Sequence, residues 1–426
     1  MDEVEKNMFT EKLGNGLRVV GECMPGYRSV SMGVWINAGS VYERDDEGGA
    51  AHFIEHMLFK GTKNRSASAI AEEMDAVGGN LNAFTSKECT CFYGRVLSKH
   101  MGVLSDIIAD MLADSLLDPG DIEREKGVVC EEISMVEDSP EDLVTDTAIS
   151  GFYESDPMAK PILGTAESVR SFTREGLISY MGRLYRPDNM VLAAAGDLDL
   201  NELLSIAKSS FGRLGGASGG LSDKWGYHTK GRRLRFIEKD IEQVHICMCL
   251  PGFEKDTPES YAMLVFSNAF GGSMSSRLFQ RIREQMGLAY SVYAYPTAYP
   301  LSGCLTLYAG TGRENAVNVA ELMLAESDKV LNGNLTNEEL IRAKQQIISS
   351  FLMSRESTAA RCSALGRSEL LSSRRLTAEE VISKVEAVTL DGIAAILPMI
   401  FAANDISVSA VGRLDGCEEG FKKLIL

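Results

Sequence analysis

The sequence predicts an α+β protein of two duplicated domains, each a mostly antiparallel sheet packed against helices. Three observations carry this expectation. The chain has 426 residues, more than one hydrophobic core usually serves, so two domains are expected. A glycine-rich stretch, "FGRLGGASGGLSDKWGYHTKG" (211–231), falls at the midpoint and has no apolar periodicity, as a linker would. The order of strand-like and helix-like segments before it recurs after it. The expected boundaries are 1–213 for the first domain, 214–231 for the linker and 232–426 for the second domain.

In the first half, "GLRVVGECM" and "SVSMGVWINAG" read as strands. Val30, Met32, Val34 and Ile36 alternate in the second of these, the period of a sheet with one buried face. Helices are expected over about 48–60 and 67–77, the latter stopped by Gly78 and Gly79. "NLNAFTS" and "ECTCFYGRVL" follow as a hairpin-like pair, then several helices, and "NMVLAAAGDLD" closes the half as a buried strand. The second half repeats the order. "RRLRFIEKD" and "EQVHICMCLPG" read as strands, 257–271 and 275–286 as helices, "AYSVYAYP" and "SGCLTLYAG" as a strand pair, and "DISVSAVG" as the last strand. Helical runs beside antiparallel strands make each half α+β.

Composition bounds the function. Hydrophobic residues are 45% and charged residues 24% of the chain, as in an ordinary globular protein. No apolar run is long enough to span a bilayer, so no membrane partner is expected. The net charge of −17 argues against nucleic acid, which needs a basic footprint. The start, "MDEVEKNMFTEKL", has neither an apolar signal core nor an Arg/Ser-rich transit pattern, so a cytoplasmic location is expected. Nine cysteines are scattered without a CxxC; Cys89/Cys91 and Cys247/Cys249 each project from one sheet face. They read as small buried hydrophobes in a reducing compartment.

The chemistry concentrates in "GGAAHFIEHMLFKGT" (48–62). Two of only five histidines, His52 and His56, lie four apart here with Glu55 between them. At about 100° per residue, Glu55 and His56 fall within an arc of roughly 100° around His52. Phe53, Ile54, Met57 and Leu58 take the opposite side, so this helix buries one face and presents two imidazoles and a carboxylate on the other. Imidazoles four apart can share one divalent ion, zinc being the common choice. His-x-x-Glu-His inverts the commoner zincin order, an arrangement known among metallopeptidases. A catalytic zinc needs one further protein ligand. "PGDIEREKGVVCEEISMVEDSP" (119–140) offers Glu125 and Glu132, seven apart and projecting alike, beside Val128, Val129 and Ile133 on a partly buried face. Spacing alone leaves the choice of ligand open. In the second half, "SYAMLVFSNAFGG" takes the place of the histidine helix, with no histidine or carboxylate between Tyr261 and Gly271. The copy has lost that chemistry.

With these segments in order, joined by "GGNLNAFTSKECT", "GTAESV", "YRPDNMVLAAAGD" and "GGSMSSRLFQRIRE…GLAYSVYAY", nearly the whole chain resembles the pitrilysin/insulinase-type zinc peptidases, which include the mitochondrial processing peptidases. It is most similar to the short two-domain bacterial members. The resemblance implies one zinc per chain, held by His52, His56 and Glu132, with Glu55 as general base. It makes Glu125 the acid that orients a ligand histidine. Arg283 and Tyr290, seven apart in "RIREQMGLAY", match the pair that stabilises the developing oxyanion. The strand edge at Asn82, Ala83 and Phe84 is implied to bind extended peptides as an added strand. Asp142 and Asp146 stand at the offsets where the processing-peptidase branch holds a substrate arginine. Because one chain carries both the metal motif and the Arg/Tyr pair, a homodimer is expected. The alternative is a non-catalytic core-type or peptide-binding subunit of the same fold. The sequence departs mildly from the bacterial pattern at Ile54, usually leucine.

Overall fold

A computed structural model describes residues 7–215, 225–228, 230–372, 374–401 and 404–426, so most of the expected linker lies outside the described residues. The chain divides into two compact units. The first comprises residues up to Ile133, Lys160–Asp223 and Leu352–Arg375; the second comprises Ser134–Ala159, Lys224–Phe351 and Leu376–Leu426.

The first unit is built on a six-stranded sheet. Its strands are β1 (Met8–Lys12), β2 (Arg18–Cys23), β3 (Ser29–Ile36), β4 (Asn80–Thr85), β5 (Thr90–Leu97) and β6 (Met190–Gly196), in the order β1-β2-β6-β3-β5-β4. Only β2 and β6 run parallel. The alternation read in β3 is realised: Val30, Met32, Val34 and Ile36 are fully buried on one face, against Phe53, Ile54, Met57 and Leu58 of the histidine helix (Ala50–Leu58) and against the helix Met101–Asp114. β1 was not expected, since "MFTEK" shows little alternation; pairing along β2, Met8 opposite Glu22, supplies its partners.

The second unit repeats the plan with β7 (Arg232–Glu238), β8 (Gln243–Pro251), β9 (Ala289–Ala298), β10 (Gly303–Gly312) and β11 (Ile406–Gly412), in the order β7-β11-β8-β10-β9. Leaving β1 aside, this matches β2-β6-β3-β5-β4 strand for strand, with β7 and β11 as the parallel pair. Val244, Ile246, Met248 and Leu250 of β8 enter the core as their counterparts in β3 do. Over the expected helix 275–286, the chain forms one π-helical turn, Phe279–Gln285. The wider turn buries Leu278 and Ile282 and ends at Gly287, whose φ of 63° a side chain would disfavour.

The division into units departs from the chain's midpoint in two helices. Pro140–Tyr153 belongs to the second unit and Thr358–Leu371 to the first. Each covers the sheet face that the other helices leave open, where an uncovered apolar surface would be costly. Both do so through a glycine. A Cβ on Gly366 would sit 2.3 Å from Cδ2 of Trp35, and one on Gly151 2.4 Å from Oγ of Ser407. The first sheet's covered face holds Val20, Trp35, Cys89, Cys91, Val191 and Cys362. Cys89 and Cys91 thus share one face, as the spacing required. No described helix is long and apolar enough to cross a membrane.

Candidate metal centre

The histidine helix begins at Gly49, whose φ of 89° and close approach to Leu163 O (2.5 Å from a built Cβ) admit no side chain. Gly49 therefore offers no side-chain cap to the first turn's N–H groups. Glu43 replaces it. Its buried carboxylate accepts from Gly49 N and Ala51 N, each at 2.9 Å, and Lys160 Nζ donates to its carbonyl at 2.6 Å. Burial pushes the Glu43 carboxyl up to about 7, against the pull of the two N–H bonds and the Lys160 charge. Sequence reading missed Glu43; the only signal was a helix start flanked by two glycines with no capping residue.

From this anchored start the helix presents His52 and His56 on the side away from the core. Their ring centroids lie 4.6 Å apart. Glu132 arrives from the glutamate helix, Pro119–Asp138, and places Oε2 3.5 Å from His52 Nε2 and 3.4 Å from His56 Nε2. Among the described residues this is the one cluster able to hold a metal, its ligand atoms all within 4.8 Å of one another. Zinc bonds of about 2.1 Å at tetrahedral angles put neighbouring ligand atoms about 3.4 Å apart. The two separations from Glu132 match that edge, and two imidazole nitrogens with one carboxylate are a donor set that fits zinc.

Glu125, two turns before Glu132, is buried and takes a different part. Its Oε1 lies 2.8 Å from His56 Nδ1, and its Oε2 2.6 Å from Lys60 Nζ. With the Nδ1 proton donated to Glu125, the lone pair of His56 Nε2 faces Glu132. The structure separates the two glutamates: Glu132 lies beside both imidazoles, and Glu125 beside the Nδ1 of one of them. Lys60, one turn beyond His56, completes this pair and was not anticipated. The stripe beneath is Ile122, Glu125, Val129 and Ile133; Val128, expected beside it, is half exposed because it lies about 100° around the helix from Val129.

Glu55 lies on the same face as the imidazoles. Its Oε2 accepts a 2.5 Å hydrogen bond from Thr85 Oγ1, at the end of β4. Burial pushes its carboxyl above the ordinary range, while the Thr85 bond and His56 pull it down. Burial also pushes His52 down to about 4, keeping it a neutral donor.

β4 is one of the two edge strands of the first sheet. Leu81 and Ala83 pack toward the histidine-helix core, and Phe84 toward Trp35 on the other face. Ala83 N–H is held by the Asn82 side-chain oxygen at 2.8 Å, so an N–H of the edge is satisfied locally rather than left open to aggregation. The remaining predicted residues lie in the second unit. Arg283, on the π turn, stacks between two rings, its guanidinium carbon 4.7 Å from the Phe279 centroid and 4.8 Å from that of Tyr290. Tyr290 itself is 74% exposed. Asp142 and Asp146 are exposed on Pro140–Tyr153, which packs on β8 and β11.

Comparison with known proteins adds to this geometry. Residues 18–166 match the family described as insulinase (peptidase family M16), and residues 171–347 match the peptidase M16 inactive domain. The chain is 40% identical to an uncharacterized zinc protease of Bacillus subtilis, YmxG, over 91% of this chain and 94% of that protein. It is 36% identical to an uncharacterized zinc protease of Streptomyces coelicolor, over 94% of this chain and 89% of that one. In fold it is similar to a peptidase M16 inactive domain from Pseudomonas fluorescens, with TM-score 0.88, 20% identity, and 95% and 98% of the two chains covered. A protease from Helicobacter pylori gives TM-score 0.87 at 18% identity, covering 95% and 99%.

Proposed function

The chain belongs to the insulinase-type M16 peptidase family, and we propose that it is a zinc-dependent endopeptidase acting on extended peptides. The observation that carries this reading is the pair of separations from Glu132 Oε2 to the two imidazole Nε2 atoms, 3.5 and 3.4 Å. They match two edges of a zinc tetrahedron whose fourth vertex would be left to water or substrate. The curated relatives named zinc proteases support it.

His52, His56 and Glu132 would hold the ion, and Glu125 would fix the His56 tautomer and orientation. A bound zinc supplies Lewis acidity, which acidifies a water and polarises a peptide carbonyl. Glu55 acts as general base: it takes a proton from the attacking water and returns it to the leaving amine. Its raised affinity for a proton suits both halves of that exchange, and the Thr85 hydroxyl holds the carboxylate in place. Arg283 and Tyr290 serve as donors to the developing oxyanion. The peptide joins the free edge of β4 as a further strand, displacing the Asn82 side chain from Ala83 N–H and running past Phe84. Asp142 and Asp146 favour a basic side chain near the cut.

Hydrolysis of a quenched basic peptide tests this reading, with and without a chelator and with Glu55→Gln. Activity is expected to vanish in both perturbed cases; equal rates throughout would overturn the assignment. We further propose a homodimer, since the metal motif and the Arg/Tyr pair lie on one chain; light scattering showing a monomer, or a requirement for a second kind of chain, would exclude it.

A further inference from the structure

Resting on the reading of β4 as the strand that a peptide extends, we propose that the cavity beside β4 is a pocket for a large apolar side chain of that peptide, on the sheet face turned away from the metal ligands. The cavity is about 350 Å³, within the size range of small-ligand sites. Its walls include Asn80 and Phe84 of β4, Trp35, Tyr93, and Ala359 and Cys362 of the helix Thr358–Leu371.

Strand alternation links the cavity to the cleavage site. Thr85 reaches Glu55, and Leu81 and Ala83 share its face. Asn80 and Phe84 lie on the opposite face and line the cavity. A peptide paired to the free edge of β4 alternates in the same way. Every second side chain then turns toward the histidine helix, and those between turn toward the cavity.

The lining selects the occupant. Three aromatic rings, Trp35, Phe84 and Tyr93, contribute to it and no carboxylate does. Arg95 stands in the wall, and the Arg367 guanidinium lies 5.3 Å from the Phe84 centroid. Positive charge around an aromatic pocket repels lysine and arginine side chains and admits uncharged ones; phenylalanine, leucine and their like gain most from burial there. Specificity would therefore have two sides, with this face reading apolar bulk.

The test uses quenched decapeptides in which one phenylalanine is moved through an alanine background. Wild-type protein is expected to show a KM about tenfold or more below that of the all-alanine peptide at positions of one parity. Ala359→Trp and Ser363→Trp fill the cavity from an exposed and a half-buried position, so neither asks the core to repack. In both, the phenylalanine preference is expected to fall below about twofold. Its survival in both variants, or no parity in wild type, would overturn the pocket.

A binding readout separates this from the peptidase reading. Trp35 lines the cavity and is one of two tryptophans, so Trp225→Phe leaves it as sole emitter. In chelator-treated Trp225→Phe protein, the phenylalanine peptides should change Trp35 emission saturably and the all-alanine peptide should not. A Trp35 response without hydrolysis by wild type would sink the peptidase reading and leave the pocket standing. Hydrolysis without any dependence on phenylalanine would do the reverse, and the absence of both would remove both.

Discussion

Removing the Glu125 carboxylate should weaken metal binding without touching a metal ligand. Glu125 bridges His56 Nδ1 at 2.8 Å and Lys60 Nζ at 2.6 Å from a buried position. Glu125→Ala deletes the group 2.8 Å from His56 Nδ1; on the proposed role of Glu125, the Nε2 lone pair should then no longer face Glu132 in every molecule. Losing such a support typically costs 10- to 100-fold in affinity, or about 1.4–2.7 kcal/mol. Glu125→Gln should cost less. Its amide oxygen can still accept from His56 Nδ1, although its NH₂ then faces the Lys60 ammonium, donor against donor. The assay is equilibrium zinc competition against a chromophoric chelator, in the order wild type, Gln, Ala. At fixed zinc above both dissociation constants, the metal's contribution to stability should fall by the same 1.4–2.7 kcal/mol or so, because that contribution grows as RT ln([Zn]/Kd). Identical dissociation constants for all three proteins would refute the reasoning.

Three further outcomes are expected. Glu43 carries a carboxyl raised to about 7 in the folded state, above its ordinary value, so the folded chain binds more protons than the unfolded chain between about 4.5 and 7; stability falls as pH rises through that window, by roughly 3 kcal/mol from this group. Denaturant melts of wild type and Glu43→Gln across pH 4.5–7.5 should therefore differ in slope with that sign. Gly366→Ala places a methyl 2.3 Å from the Trp35 ring and should destabilise the first unit by about 1–3 kcal/mol in the same melts. Arg283→Ala and Tyr290→Phe should each lower kcat on a quenched peptide by roughly 10- to 1,000-fold while zinc content by atomic absorption stays at one per chain.

Much of the site was legible because its residues sit on regular helices. A period of 3.6 puts His52, Glu55 and His56 on one face from spacing alone, and seven residues separate Glu125 and Glu132 by two turns. Which glutamate stands beside both imidazoles was a different matter. It depended on how the glutamate helix meets the histidine helix, and the resemblance to a family, rather than any periodicity, pointed to Glu132. Lys60, Thr85 and Glu43 escaped notice for a related reason: a lysine, a threonine and a glutamate near a helix are common, and their roles exist only through partners supplied by the fold.

The sequence by itself determined most of the succession of elements along each half, its recurrence, the buried face of β3, and the imidazole pair, because alternation and helical period are local properties of the chain. Only the tertiary structure decided that Pro140–Tyr153 covers the second sheet and Thr358–Leu371 the first. The physical reason is that each sheet has two faces to bury and its own half of the chain dresses just one. A glycine in each covering helix, Gly151 and Gly366, allows the close approach, and nothing in a glycine's neighbours along the chain names the surface it will meet. The cavity beside β4 follows from the same exchange, since its far wall comes from residues more than 250 positions away from the strand it serves.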